Sequence, residues 1–285
     1  MGKGYCSSKK LAFTSLGLNL NKFNLILVSK SKPRLCLAHH MNIIFPDHII
    51  VTEQKVDCTH LSAERKEFII NFSKRLISLY KQKGNARQVY IISGPSGSGK
   101  SYLSVLAEAI GKQLDESVRI IPISIDAYHF PNEYLSETKA GGGDSLLTLK
   151  DVKGRYDTYD VPALFSDLEE FKNASALRLP LYSRKLHEPI SGEIKVPVGP
   201  ALMLIEGLWL LYPGTEWKNL PPLYDHSYFL DDTSEVLRLR TISRHQIGGR
   251  EREDAERMYD ESDAKNRMLV LETRSRADEE LTWPE

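Results

Sequence analysis

The chain has 285 residues, 27% of them charged and 41% hydrophobic, which suits one large globular core and excludes collagen-like, disordered and membrane-embedded classes. Its net charge of zero hides an asymmetry: seven Lys or Arg and no acid precede Asp47, leaving 31 of the 38 basic residues against all 38 acidic ones in the remainder. An acidic body lacks the clustered basic face that neutralises nucleic-acid phosphates, so a small-molecule substrate is expected and no nucleic-acid partner.

The basic segment 1–46 comes first. Its apolar stretch Leu11 to Val28 is broken by Asn19, Asn21, Lys22 and Asn24, too early for the roughly 20 apolar residues that span a bilayer. No membrane association is expected. The Ser-rich, acid-free composition fits either an organellar transit peptide, or a poorly ordered extension or an upstream start with Met41 the first true residue. Gly2 suggests myristoylation, but Cys6 stands where that motif takes Ser or Thr. All three cysteines, Cys6, Cys36 and Cys58, precede residue 94 at spacings that match neither a zinc site nor a redox pair. A reducing compartment follows, the cytoplasm or, with a transit peptide, a mitochondrion or plastid.

Segment 47–87 reads as a lead-in element. Leu61, Phe68, Ile69, Phe72, Leu76 and Tyr80 fall largely at three- and four-residue steps, one face of a helix. Turn chemistry around Lys83, Gly84 and Asn85 ends it before the buried strand Val89 to Ile92. Similar strands are expected at Val118–Ile125, Ala201–Ile205 and His226–Leu230, alternating with helices at Tyr102–Leu114, Val161–Phe171 and Thr233–Ile247. Alternation of this kind implies an α/β fold with a doubly wound parallel sheet, whose ligands bind at the carboxyl ends of the strands. Residues 88–285 are taken as one domain.

Directly between the first strand and the next helix lies Gly94-Pro95-Ser96-Gly97-Ser98-Gly99-Lys100-Ser101, followed by Tyr102. It fits G-x-x-x-x-G-K-[ST] in the context that motif requires. The glycines let successive N–H groups face phosphates, and the helix adds its positive end. Lys100 is expected at the β and γ phosphates of ATP, and Ser101 on Mg²⁺. No N-K-x-D or T-K-x-D element follows the loop, and there is no L-S-G-G-Q run, so guanine-nucleotide switches and ABC ATPases recede.

Two carboxylates leave later strands. Asp126 follows Ile120 to Ile125, where it can accept a proton or order the metal's water shell. Glu206 ends the apolar run from Ala201, a Walker B position beside Mg²⁺. Three further runs stand out: Asp126-Ala127-Tyr128-His129, Lys153-Gly154-Arg155-Tyr156-Asp157-Thr158-Tyr159-Asp160, and Tyr182-Ser183-Arg184-Lys185-Leu186-His187. Lys153 can steady an anionic acceptor or the phosphoryl in flight. The third run also reads as part of a β-hairpin with Gly192 in its turn. Arg238, Arg240 and Arg244 share one expected helix, the last two on one face, and Gly248-Gly249-Arg250 follows.

Over roughly Gln88 to Leu281 these runs resemble the phosphoribulokinase, uridine kinase and pantothenate kinase superfamily of P-loop kinases. They are most similar to its loosely assigned fructose-transport-associated group, where Ala127 and Tyr128 depart from an aspartate-glycine-phenylalanine-histidine run and Tyr156 replaces a proline. The resemblance implies an ATP-dependent kinase acting on a small-molecule hydroxyl, with Asp126 as base. It implies Tyr128, His129, Lys153, Tyr182, Arg184 and His187 on the acceptor, and a helical lid carrying Arg240 or Arg244. Asp263, Asn266 and, near the adenine, Arg276 are fainter carry-overs. The alternative is an ATP-hydrolysing switch or assembly factor without a metabolite acceptor, and a homodimer is left open.

Overall fold

The computed structural model describes residues 42–84, 86–141, 146–173 and 176–284. The transit-peptide, myristoylation and start-site readings, and Cys6 and Cys36, lie outside the described residues. Two short strands, β1 (His48–Val51) and β2 (Gln54–Asp57), pair antiparallel first. The turn between them holds Thr52 at φ 44° and Glu53 at φ 66°. Two positive φ values match the twist of a tight hairpin, but Asn and Gly adopt them most readily, and a β-branched Thr there is strained.

Helix α1 (Ala63–Gln82) starts at Ser62, whose hydroxyl accepts from the Arg65 N–H, and buries Ile69, Phe72, Leu76 and Tyr80. Each such side chain contributes about 1.5–3 kcal/mol of apolar burial. Strand β3 (Gln88–Ser93) is buried along its whole length. Helix α2 (Lys100–Leu114) follows, then β4 (Ile120–Ser124). The strand expected through Ile125 stops early, because the Ser124 hydroxyl accepts from the Asp126 N–H and curls Ile125–Tyr128 into a 3₁₀ turn. Helices α3 (Asn132–Glu137) and α4 (Val161–Asn173) precede an antiparallel pair, β5 (Leu177–Ser183) and β6 (Glu188–Val196). The hairpin expected here exists, but its turn is Arg184–His187, with His187 at φ 54°. Gly192 lies inside β6, near the irregularity in register between Leu179 and Leu181.

Strand β7 (Leu202–Gly207) is again fully buried, and β8 (His226–Asp231) follows. The chain then runs through α5 (Ser234–Ile247), α6 (Arg252–Met258), a π-helical turn at Tyr259–Asp263 and α7 (Ala264–Leu271) to β9 (Glu279–Thr282). The last strand was not expected from its polar sequence. It pairs parallel with β8 at the sheet's edge, where half-exposed residues are tolerated.

The main sheet runs β4-β7-β3-β8-β9, all parallel. Alternation along β3 sends Val89 and Ile91 into a cluster with Leu164, Leu168 and Phe171 of α4, while Tyr90 and Ile92 join α1 and α2 on the opposite face. The lead-in helix is thus a structural layer of the same core. With every strand parallel, the loops after β3, β4, β7 and β8 meet at one edge. Among the described residues no helix is long and apolar enough to cross a membrane.

Candidate active site

The loop from Gly94 to Gly99 leaves the buried end of β3 and enters α2 at Lys100. Gly97 has φ 80°, and a Cβ there would sit 2.7 Å from the Leu237 carbonyl and 2.8 Å from the Thr241 hydroxyl of α5. Only glycine permits that approach. Lys100 is 6% exposed, and its Nζ donates to the Pro95 carbonyl at 2.8 Å, with Ser98 Oγ at 3.4 Å. No carboxylate among the described residues comes within ion-pair distance of it. Burial lowers its pKa to about 8, an effect that Glu206 opposes and Arg244 reinforces. A buried ammonium resting on one neutral carbonyl and a hydroxyl is costly, and a polyanion in the loop would relieve that cost.

Glu206, 4% exposed in β7, accepts from the Ser101 hydroxyl at 2.8 Å. Burial raises its carboxyl above the usual range, and Lys100 opposes the shift. Asp126 faces the same cavity of about 1090 Å³, which Ser96, Ser101 and Glu206 also line. This hard-oxygen set suits Mg²⁺, which binds through one or two protein oxygens together with phosphates and water. Among the described residues no group of three or more His, Cys, Asp or Glu can hold a metal unaided.

Across the cavity, His129 stacks on Tyr159 with ring centroids 3.9 Å apart, and Tyr182 lies beside it at 6.0 Å. His129 Nδ1 lies 2.9 Å from the Thr158 carbonyl, and burial lowers its pKa to about 4. Lys153 donates to Asn132 Oδ1 and the His187 carbonyl at 2.9 and 2.6 Å, and burial lowers its pKa as well. Arg184 Nε donates to Thr52 Oγ1 at 2.6 Å. Glu53 accepts from Ser183 Oγ at 2.9 Å and the Lys185 N–H at 3.2 Å, bonds that hold its carboxyl below the usual range. The two strained turns, Thr52–Glu53 and Arg184–His187, thus lock together at the cavity's rim.

Residues 89–278 match the model of the Phosphoribulokinase / Uridine kinase family. The chain belongs to that family. It is 30% identical over 196 residues to the uncharacterized protein YggC of Escherichia coli, covering 69% of this chain and 78% of that one. It is 23% identical to a pantothenate kinase of Streptococcus thermophilus, covering 62% of this chain and 55% of that one, so it spans about half that relative's length. The fold matches a proposed fructose transport system kinase from Silicibacter sp. TM1040 with TM-score 0.65 at 24% identity, covering 76% of this chain and 98% of that one.

Within this family fold, most expected site residues converge. Ser96, Ser101, Asp126, His129, Lys153, Tyr182, Arg184, His187, Glu206 and Arg244 all line the cavity, as do Asp263 and Asn266. One expectation needs correcting. Tyr128 is 3% exposed, packs in the core and donates its hydroxyl to Asp167 at 3.0 Å; the 3₁₀ turn points it inward with Ala127, while Asp126 and His129 line the cavity. The Tyr102 ring packs towards Trp283, 6.3 Å between centroids, which leaves its main-chain N–H as the part able to meet a phosphate. The lid arginines also separate. Arg244 Nη2 donates to Ser96 Oγ at 2.7 Å and faces the cavity. Arg240 is tied to Asp232 at 2.8 Å and to the Gly97 carbonyl at 3.3 Å, outside the cavity. Arg238 lies over the Tyr259 ring instead.

Glu53 and Gln54 also line the cavity, and sequence reasoning missed them. A Thr-Glu turn carries none of the Asn-Gly signal that announces a hairpin. His245, whose Nε2 lies 2.7 Å from Asp263, was equally hidden.

Proposed function

We propose that the chain is an ATP-dependent kinase that transfers the γ-phosphoryl group to a hydroxyl of a small polar metabolite. One observation carries the reading: the Ser101–Glu206 pair, next in sequence to the buried Lys100, and Asp126 line the same cavity as His129, Lys153, Tyr182 and Arg184. A phosphate cradle and a polar second chamber thus share a single space.

In this reading the loop amides and Lys100 hold the triphosphate, and Ser101 and Glu206 would hold Mg²⁺, which supplies charge neutralisation to the phosphates. Asp126 takes the proton of the acceptor hydroxyl as its oxygen bonds to the γ-phosphorus and the bond to the ADP oxygen breaks. Arg244, held over Ser96 at 2.7 Å, balances charge that spreads over the transferring group, an electrostatic contribution of several kcal/mol. Arg240 serves the same step indirectly by bracing the loop. Stacked His129 and Tyr159, with Tyr182, Lys153 and Arg184, form the acceptor's walls, and the β1–β2 turn closes the outer one.

The test is ADP release from MgATP with a panel of sugars, nucleosides and pantothenate. Release that depends on one acceptor class supports the kinase. Release at the same rate without any acceptor supports an ATPase switch instead.

A further inference from the structure

We propose that Trp283 is a positioning residue for nucleotide binding, acting through the Ser98–Gly99 peptide of the phosphate loop. Its indole Nε1–H donates to the Ser98 carbonyl at 2.7 Å in a buried setting. A trans peptide is planar, with its C=O and N–H pointing in opposite directions. Anchoring the Ser98 oxygen on the indole therefore fixes the Gly99 N–H to point away from Trp283. The same ring shapes the loop sterically: a Cβ on Gly99, at φ 87°, would lie 3.1 Å from Nε1 and 3.3–3.4 Å from the ring carbons.

Two other carbonyls of the loop are held by cations. Lys100 takes Pro95 and Arg240 takes Gly97. A bound polyanion attracts both cations. The indole is a neutral donor only and has no such pull, so its anchor survives nucleotide binding. Trp283 is in turn immobilised by the lead-in helix. It is 7% exposed, its ring lies 5.0 Å from Phe68, and the Arg65 guanidinium sits 5.8 Å over it while Arg65 Nε reaches the Pro284 carbonyl at 3.4 Å. Phe68, Arg65 and Trp283 all lie outside residues 89–278, the span matched to the family. The loop is thus set in part by contacts from outside that span.

The inference rests on the nucleotide-binding reading, and the experiment separates the two. Full-length protein is titrated calorimetrically with MgADP as wild type and as Trp283→Phe, which keeps an aromatic ring against Phe68 but has no donor. The expected result is a Kd raised about fivefold to tenfold, because the loop must then be ordered on binding, together with a lowered melting temperature from the lost buried bond. In wild-type protein carrying ¹⁵N-tryptophan, one of the three indole N–H resonances should shift on MgADP saturation, and that resonance should be the one missing from the variant. A variant Kd within about twofold of wild type would overturn the proposal. So would three unmoved indole resonances, a result that decides the matter even if the variant fails to fold. Wild-type protein that does not bind MgADP at all removes the nucleotide reading as well.

Discussion

The two halves of the cavity are built in different ways. The phosphate half is one continuous stretch, Gly94 to Ser101, leaving a buried strand and entering a helix, with Glu206 added from the neighbouring strand. The acceptor half is assembled from four separated pieces: the Thr52–Glu53 turn, the 3₁₀ turn at Asp126, the loop containing Lys153 and Tyr159, and the Arg184–His187 turn. Binding a triphosphate requires a backbone shape that a few glycines and a helix start suffice to specify. Selecting an acceptor requires side chains brought together by the whole fold, and these can change without disturbing the cradle.

If the halves are independent in this way, substitutions should separate cleanly. Lys100→Ala is expected to have the largest effect, lowering turnover at least about 10³-fold and weakening MgADP in calorimetry; normal MgADP affinity would contradict the role given to the buried ammonium. On the acceptor side, His129 supplies a pH signature. Its pKa is depressed to about 4 from 6.5, so between these values the unfolded chain binds the extra proton. Stability should therefore fall as pH drops from 6.5 through 4, by on the order of 3 kcal/mol from this group. Urea midpoints of wild type and His129→Asn across that range measure it, and the variant should lose less stability on acidification. The smallest effect belongs to the rim. Thr52→Ala frees Arg184 from its 2.6 Å bond and should raise KM for the acceptor about tenfold while leaving KM for ATP unchanged. A rise in both would show that the rim hairpin does not belong to the acceptor half alone.

The same division explains what the sequence made legible. Strand and helix alternation located β3, β7, β8, α1, α2, α4 and α5 to within a few residues, because buried strands and amphipathic helices carry strong periodicity. Asp126, His129, Lys153, Tyr182 and Arg184 could be nominated from their runs, but not their partners. Tyr128 was misplaced because a 3₁₀ turn rotates adjacent side chains in a way that neither helical nor strand spacing anticipates. Arg240 and Arg244 do share a helix face, yet Asp232 at 2.8 Å captures one of them, a contact invisible before the fold is known. The β1–β2 turn went unread because it is held by tertiary bonds to Ser183 and Arg184 rather than by turn-forming residues. Strand β9 went unread because an edge strand needs little apolar patterning.

The claim on which all of this depends is that Asp126 faces an alcohol across the phosphate cradle. Its most direct test compares wild type and Asp126→Asn for acceptor-dependent ADP release and, separately, for MgADP affinity. Release is expected to fall by about 10²–10⁴-fold, with MgADP affinity within a few-fold of wild type. Unchanged acceptor-dependent release in Asp126→Asn would contradict it.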